Sequence, residues 1–207
     1  ILRGLVGSEM CIRDSEYPFL SWMSRLGLKT DGSANGVTVL RQGWGVEPLT
    51  EGQAACVSTM SYNEYWVVRD AGYSPEQLTV FKYQSEGAAT LEDGLYVHEK
   101  NLSDAAFKDK MVRFVRASMK GWKYAEANPK EAAMIILDND DAGVQTEKHQ
   151  VRMMGEIAKL TAGSNGSLDP ADYERTVKVL MSGDSDPVIT KKPSGAWTNE
   201  ITNAALN

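Results

Sequence analysis

The sequence predicts an α/β fold with a mostly parallel sheet, followed by a helical second half. Three observations carry this. Up to Gly94, short β-branched or apolar runs alternate with segments of helical periodicity, the pattern of βαβ units. After Gly94 one more short apolar run is followed by amphipathic helices nearly to the end. The 207 residues, 42% hydrophobic and 24% charged, are enough to bury a real core in one large domain or two small lobes.

The elements follow in order. Phe19, Leu20, Trp22, Met23 and Leu26 have helical spacing within residues 16–26, closed by Gly27. Residues 37–40 read as a short strand, 42–45 as a loop, and 47–52 as one or two helical turns. An apolar run at 54–59 predicts the next strand, and 61–71 a helix closed by Gly72. After the Ser74-Pro75 turn, 78–81 predicts another strand, and Leu95-Tyr96-Val97 one more. Residues 103–127 form a long helix with Phe107, Met111, Phe114, Val115, Met119 and Trp122 as a core-facing stripe. Its lysines and arginines read as a solvated face. Asn128-Pro129 and Asp169-Pro170 mark helix starts, with a further helix over 146–162 between them. Residues 183–194 are turn-rich and predict a surface segment.

The first fifteen residues stand apart. Residues 1–15 differ in composition from the rest of the chain, lack the layout of a signal peptide, and read as a non-native, adapter-derived segment. Setting them aside removes Cys11 and leaves Cys56 as the one native cysteine.

Composition narrows the function classes. A net charge of −6 with no dense basic stretch argues against nucleic acid as a partner. No apolar run approaches the ~20 residues of a membrane span. Two cysteines and two histidines, His98 and His149, assemble neither a zinc site nor a disulfide framework, and both histidines read as surface or satisfied-core residues rather than catalytic ones. There is no dinucleotide fingerprint and no phosphate-binding loop motif. A binding module is expected, without catalytic residues, metal or cofactor.

The candidate site lies at strand-to-helix junctions, where an open α/β sheet binds its ligands. Tyr62, Asn63 and Glu64 sit at one such junction. A carboxylate beside an amide in a first helical turn can take paired N–H donors or an ammonium group. Ser61 and Glu64 also spell a capping box, so Glu64 reads equally as a cap, whereas Asn63 has no capping duty. Trp44, between Gly43 and Gly45, offers a planar ring for stacking on a flat ligand, or else plugs a gap between loop and helix. Glu86 belongs to the loop after the strand expected at 78–81, and Tyr17 opens the first helix.

Several segments, in this order, resemble one family. They are Gln42-Gly43-Trp44-Gly45, Gly52-Gln53-Ala54-Ala55, Met60-Ser61-Tyr62-Asn63-Glu64 and Leu91-Glu92-Asp93-Gly94-Leu95-Tyr96-Val97, then the run from Phe114 to Trp122 and Asn128-Pro129-Lys130-Glu131-Ala132-Ala133. Together they resemble substrate-binding proteins of ABC importers, in the branch for nitrate, sulfonate, taurine and thiamine-pyrimidine precursors. The family often has Asp where this chain has Ala55. The resemblance implies a periplasmic-binding-protein-like two-lobe clamp of type II. Residues 16–93 would form the second α/β lobe, and 94–207 a return crossover and the helical part of an incomplete first lobe. It implies a monomer that captures a small-molecule solute and partners ABC permease subunits. The expected location is periplasmic or lipid-anchored on the extracytoplasmic face. The alternative in the same branch is a thiamine pyrimidine synthase-like enzyme, which uses pyridoxal phosphate and iron.

Overall fold

The computed structural model describes residues 9–12, 16–182 and 187–206. The chain divides into two compact units: residues 1–91 with 170–194, and residues 92–169 with 195–207.

The first unit holds a three-stranded, all-parallel sheet. Its strands are β1 (Glu9–Ile12), β2 (Thr38–Arg41) and β3 (Cys56–Val57), in the spatial order β2-β1-β3. The central strand comes from the segment that the sequence reading sets aside as adapter-derived. The rest of that segment, residues 1–8 and 13–15, lies outside the described residues, as does the Cys11 side chain. Met10 pairs with Val39 on one side and with Cys56 on the other. Because β1 is four residues long and pairs with β3 only through Met10 and Cys11, the run expected over 54–59 forms a ladder at Cys56 and Val57 alone.

Helix α1 (Glu16–Arg25) follows β1 and buries Pro18, Phe19, Ser21, Trp22 and Met23, the face its spacing predicts. Gly27, at φ +69°, turns the chain away as L side chains rarely can. Trp22 is the hub of an aromatic core. Its ring lies 6.2 Å from Phe19, 5.4 Å from Phe81 and 6.3 Å from Tyr83, with Met10, Val37 and Ala88 completing the cluster. The strand expected at 78–81 is absent. That stretch has no ladder partner, and Phe81 is held by Trp22 rather than by strand pairing. Helices α2 (Glu47–Thr50) and α3 (Glu64–Asp70) follow β2 and β3. Gly72, at φ +104°, lies just past the end of α3.

Helix α7 (Pro170–Leu180) belongs to this first unit, although its sequence pattern groups it with the helical remainder. Two long-range hydrogen bonds explain why. Ser21 Oγ donates to the Val179 carbonyl at 2.7 Å, and the Leu91 amide donates to Thr176 Oγ1 at 2.9 Å. Of the turn-rich segment, 183–186 lie outside the described residues.

The second unit is helical. It comprises α4 (Ala105–Ala127), α5 (Pro129–Asp138), α6 (Glu147–Thr161) and α8 (Glu200–Leu206). Asp104 caps α4, accepting from the amides of Ala106 and Phe107, and Thr146 caps α6 by accepting from the His149 amide. Ala132, Ala133 and Met154 form its small core, with Ala125 and Val151 against them. Arg116 of α4 donates to the carbonyls of Ala204 and Ala205 at the end of α8, where cations suit the helix dipole.

Two expectations fail in this unit. The strand at 95–97 does not form; Tyr96 is 81% exposed and Leu95 57%, with no ladder on either side. The stripe along α4 is not buried core either. No residue of α4 is buried, and Phe114 and Trp122 are exposed. Helical periodicity reports which residues share a face, not whether anything covers that face.

Candidate functional site

The strand order defines where a ligand can be read. The chain passes from β1 to β2 on one side, then returns across β1 to β3 on the other. Connections therefore diverge between β1 and β3, and in open parallel sheets the crevice outside the carboxyl ends of such strands is where ligands bind. The loop over residues 58–63, which follows β3, borders this switch point. The loop over 42–46 follows β2, and α1 begins four residues beyond the end of β1.

The β3 loop is shaped by Met60 and Glu64. Asn63 occupies the N-cap position of α3 with an extended-side φ of −125° and no side-chain cap bond, so the capping box expected from Ser61 does not form. Asn63 takes the capping position that the sequence reading denied it. Glu64 is instead the first helical residue. It is 7% exposed, and its Oε2 accepts from the Met60 amide at 3.0 Å. The Met60 carbonyl accepts from the amides of Asn63 at 3.1 Å and Tyr65 at 3.3 Å. A buried carboxylate at a helix N-terminus is favoured by the unpaired N–H groups and the dipole there. Tyr62 and Asn63 are half-buried on the same turn.

The β2 loop presents Trp44 at its tip, 85% exposed. The plug alternative for Trp44 fails on that exposure, since a plug would be covered. Beside it lies a residue that the sequence reading used only as part of a family string. Gln42 is 6% exposed and spans both loops. Its Nε2 donates to the carbonyls of Gly45 at 3.2 Å and Ser58 at 3.0 Å, and its Oε1 accepts from the Ser58 amide at 3.1 Å. A polar residue immediately after a strand and before a Gly-X-Gly turn was the available signal; its burial was not legible.

Tyr17 and Glu86 fare differently. Tyr17 lies in the first turn of α1 and is exposed. The Glu86 loop is fastened to the other end of that helix. Arg25, its last residue, donates to the Glu86 carbonyl and, at 2.8 Å, to the Gly87 carbonyl. Tyr17 and Arg25 are eight residues apart, about 12 Å of helix, so Glu86 is not brought to the other candidates. Its place was inferred from a strand at 78–81 that does not form.

Cys56, half-buried in β3, has its thiol pKa pushed up by burial, which makes it a poor nucleophile. Among the described residues no three of His, Cys, Asp and Glu gather into a group that could hold a metal ion. Among them, too, no helix is long and apolar enough to cross a membrane.

The sequence profile of the family described as NMT1/THI5 like matches residues 20–132, more than half of the chain. No curated protein and no solved structure matches. The matched region contains β2, β3, Trp44, Gln42 and the Tyr62–Glu64 turn. Proteins of this family have a periplasmic-binding-protein-like fold, generally bind small solutes, work with ABC permeases and are typically extracytoplasmic; the family also includes thiamine pyrimidine synthases. The chain belongs to the NMT1/THI5-like family, that of the nitrate-, sulfonate- and thiamine-precursor-binding substrate-binding proteins of ABC importers.

Proposed function

We propose that the protein is the solute-binding component of an ABC importer, delivering a small polar or heteroaromatic solute to permease subunits from the extracytoplasmic side, and that it holds the solute between two lobes that close as a hinged clamp. The observation that supports this most is the switch-point placement of the loop over residues 58–63, which sets a buried carboxylate and an amide where a parallel sheet receives its ligand. In this reading Trp44 stacks on a flat ring while Asn63 and Glu64 pair with its N–H edge, and Tyr62 and Tyr17 line the same opening.

The charge of the site selects the solute class. A buried Glu64 opposes the sulfonate of a taurine-like solute and suits an aminopyrimidine of the thiamine-precursor class. Calorimetric titration with an aminopyrimidine and with taurine tests this directly. We expect the aminopyrimidine to bind and Glu64→Gln to weaken it about tenfold or more, while the circular dichroism spectrum is unchanged. Gln keeps an acceptor for the Met60 amide, so the fold is spared. Equal affinity in Glu64→Gln would leave Glu64 a purely structural residue, and taurine binding in preference to the pyrimidine would reverse the class.

A further inference from the structure

We infer that Gln42 is a positioning residue, which sets the spacing between the Trp44 loop and the turn carrying Asn63 and Glu64; this rests on the reading of those residues as the solute site. The geometry is specific to a glutamine. One carboxamide meets both backbone groups of Ser58, the Oε1 accepting from its amide at 3.1 Å and the Nε2 donating to its carbonyl at 3.0 Å. Ser58 is the first residue beyond β3, and the side chain pairs with its backbone as a peptide group would. The same Nε2 donates to the Gly45 carbonyl at 3.2 Å, closing a four-residue turn with Trp44 near its tip.

The partners fix the amide orientation. Turned over, the NH₂ would face the Ser58 N–H, donor against donor, and the oxygen would face two carbonyls. From Ser58 the chain runs two residues to Met60, whose amide is held by Glu64. A continuous path of hydrogen bonds and two peptide links thus joins the aromatic loop to the buried carboxylate. Glutamate lacks the two donations, asparagine is one methylene short, and methionine keeps the length without the polar groups. With Gln42 only 6% exposed, water does not readily replace it.

The test uses Gln42→Met and Gln42→Glu, with Met23→Ala as a control that weakens the fully buried core without touching the loops. In the ligand-free protein, Gln42→Met should raise hydrogen exchange at the Ser58 amide about tenfold more than at core amides, whereas Gln42→Glu, which keeps the acceptor, should leave that amide protected. Both should weaken aminopyrimidine binding about tenfold, and Met23→Ala should not. If Gln42→Met does not fold, Gln42→Glu alone carries the affinity arm. Unchanged Ser58 exchange in Gln42→Met, or an equal affinity loss in Met23→Ala, overturns the positioning role. If Glu64→Gln and Trp44→Ala weaken binding while both Gln42 variants bind normally, the role of Gln42 fails and the site reading stands. If none of the four variants changes affinity, the site reading fails first and takes the positioning role with it.

Discussion

The two units of this chain are built to different standards of burial. In the first, α1 drives Phe19 and Met23 out of solvent entirely and seats Trp22 among Phe19, Phe81 and Tyr83. In the second, the long helix α4 has no fully buried residue, and the core is two alanines and a methionine. The difference teaches where a binding surface can be held still. An aromatic core against a parallel sheet fixes strand ends, and so fixes the loops that leave them. Long helices joined through small residues give extended surfaces but little to anchor a loop. Both units nevertheless use one device. Gln42 pairs with both backbone groups of Ser58, and Asn199 does the same for Leu168, donating to its carbonyl at 2.9 Å and accepting from its amide at 3.0 Å. A carboxamide is the side chain that can stand in for a peptide.

The contrast can be broken at its strongest point first. Phe19→Ala should cost about 3–5 kcal/mol in urea unfolding, because a fully buried ring leaves a cavity in a core that cannot collapse around α1. A loss under about 1 kcal/mol would show the first core to be no better packed than the second. Met154→Ala, in the small core of α5 and α6, should cost about 2 kcal/mol, since the cluster around it is small. Phe114→Ser on α4 should change stability by less than ~0.5 kcal/mol, as exposed positions do. A penalty rivalling that of Phe19→Ala would mean that the stripe on α4 is covered in the working protein.

The smallest effect sharpens the loop between α1 and β2. Ser33 holds the Asp31 carboxyl below the ordinary aspartate value of 3.8, mainly through its side chain and also through its amide at 3.0 Å. A lowered folded pKa stabilises the folded state above 3.8, and that contribution is lost as pH falls through the folded value. Carboxyl NMR should place the Asp31 midpoint below 3.8 and return it toward that value in Ser33→Ala. An unmoved midpoint would remove Ser33 as the cause. Full exposure keeps the effect on stability slight.

Helices were legible wherever local chemistry marks their ends. Gly27 after α1, Pro129 at the start of α5 and Thr146 before α6 act within one turn of chain, so the residues themselves carry the information. Strands were not. Residues 78–81 and 95–97 have strand-like composition, but a strand exists only where a second segment supplies the other half of its hydrogen bonds. Among the described residues none does so, while residues 9–12, set aside on composition, are flanked on both sides and form the centre of the sheet.

The candidate site divides the same way. Aromatic, amide and acid at 62–64, and an indole between two glycines, follow from residue type and from the strand-to-helix hand-over that surrounds them. That Gln42 joins the two loops and that Glu86 is fastened to the far end of α1 were decided by contacts between segments distant in sequence, whereas the tie of Glu64 to Met60 spans only four residues. Periodicity and capping are properties of a few consecutive residues; burial and strand pairing belong to the pair of segments that meet, and no single segment specifies its partner.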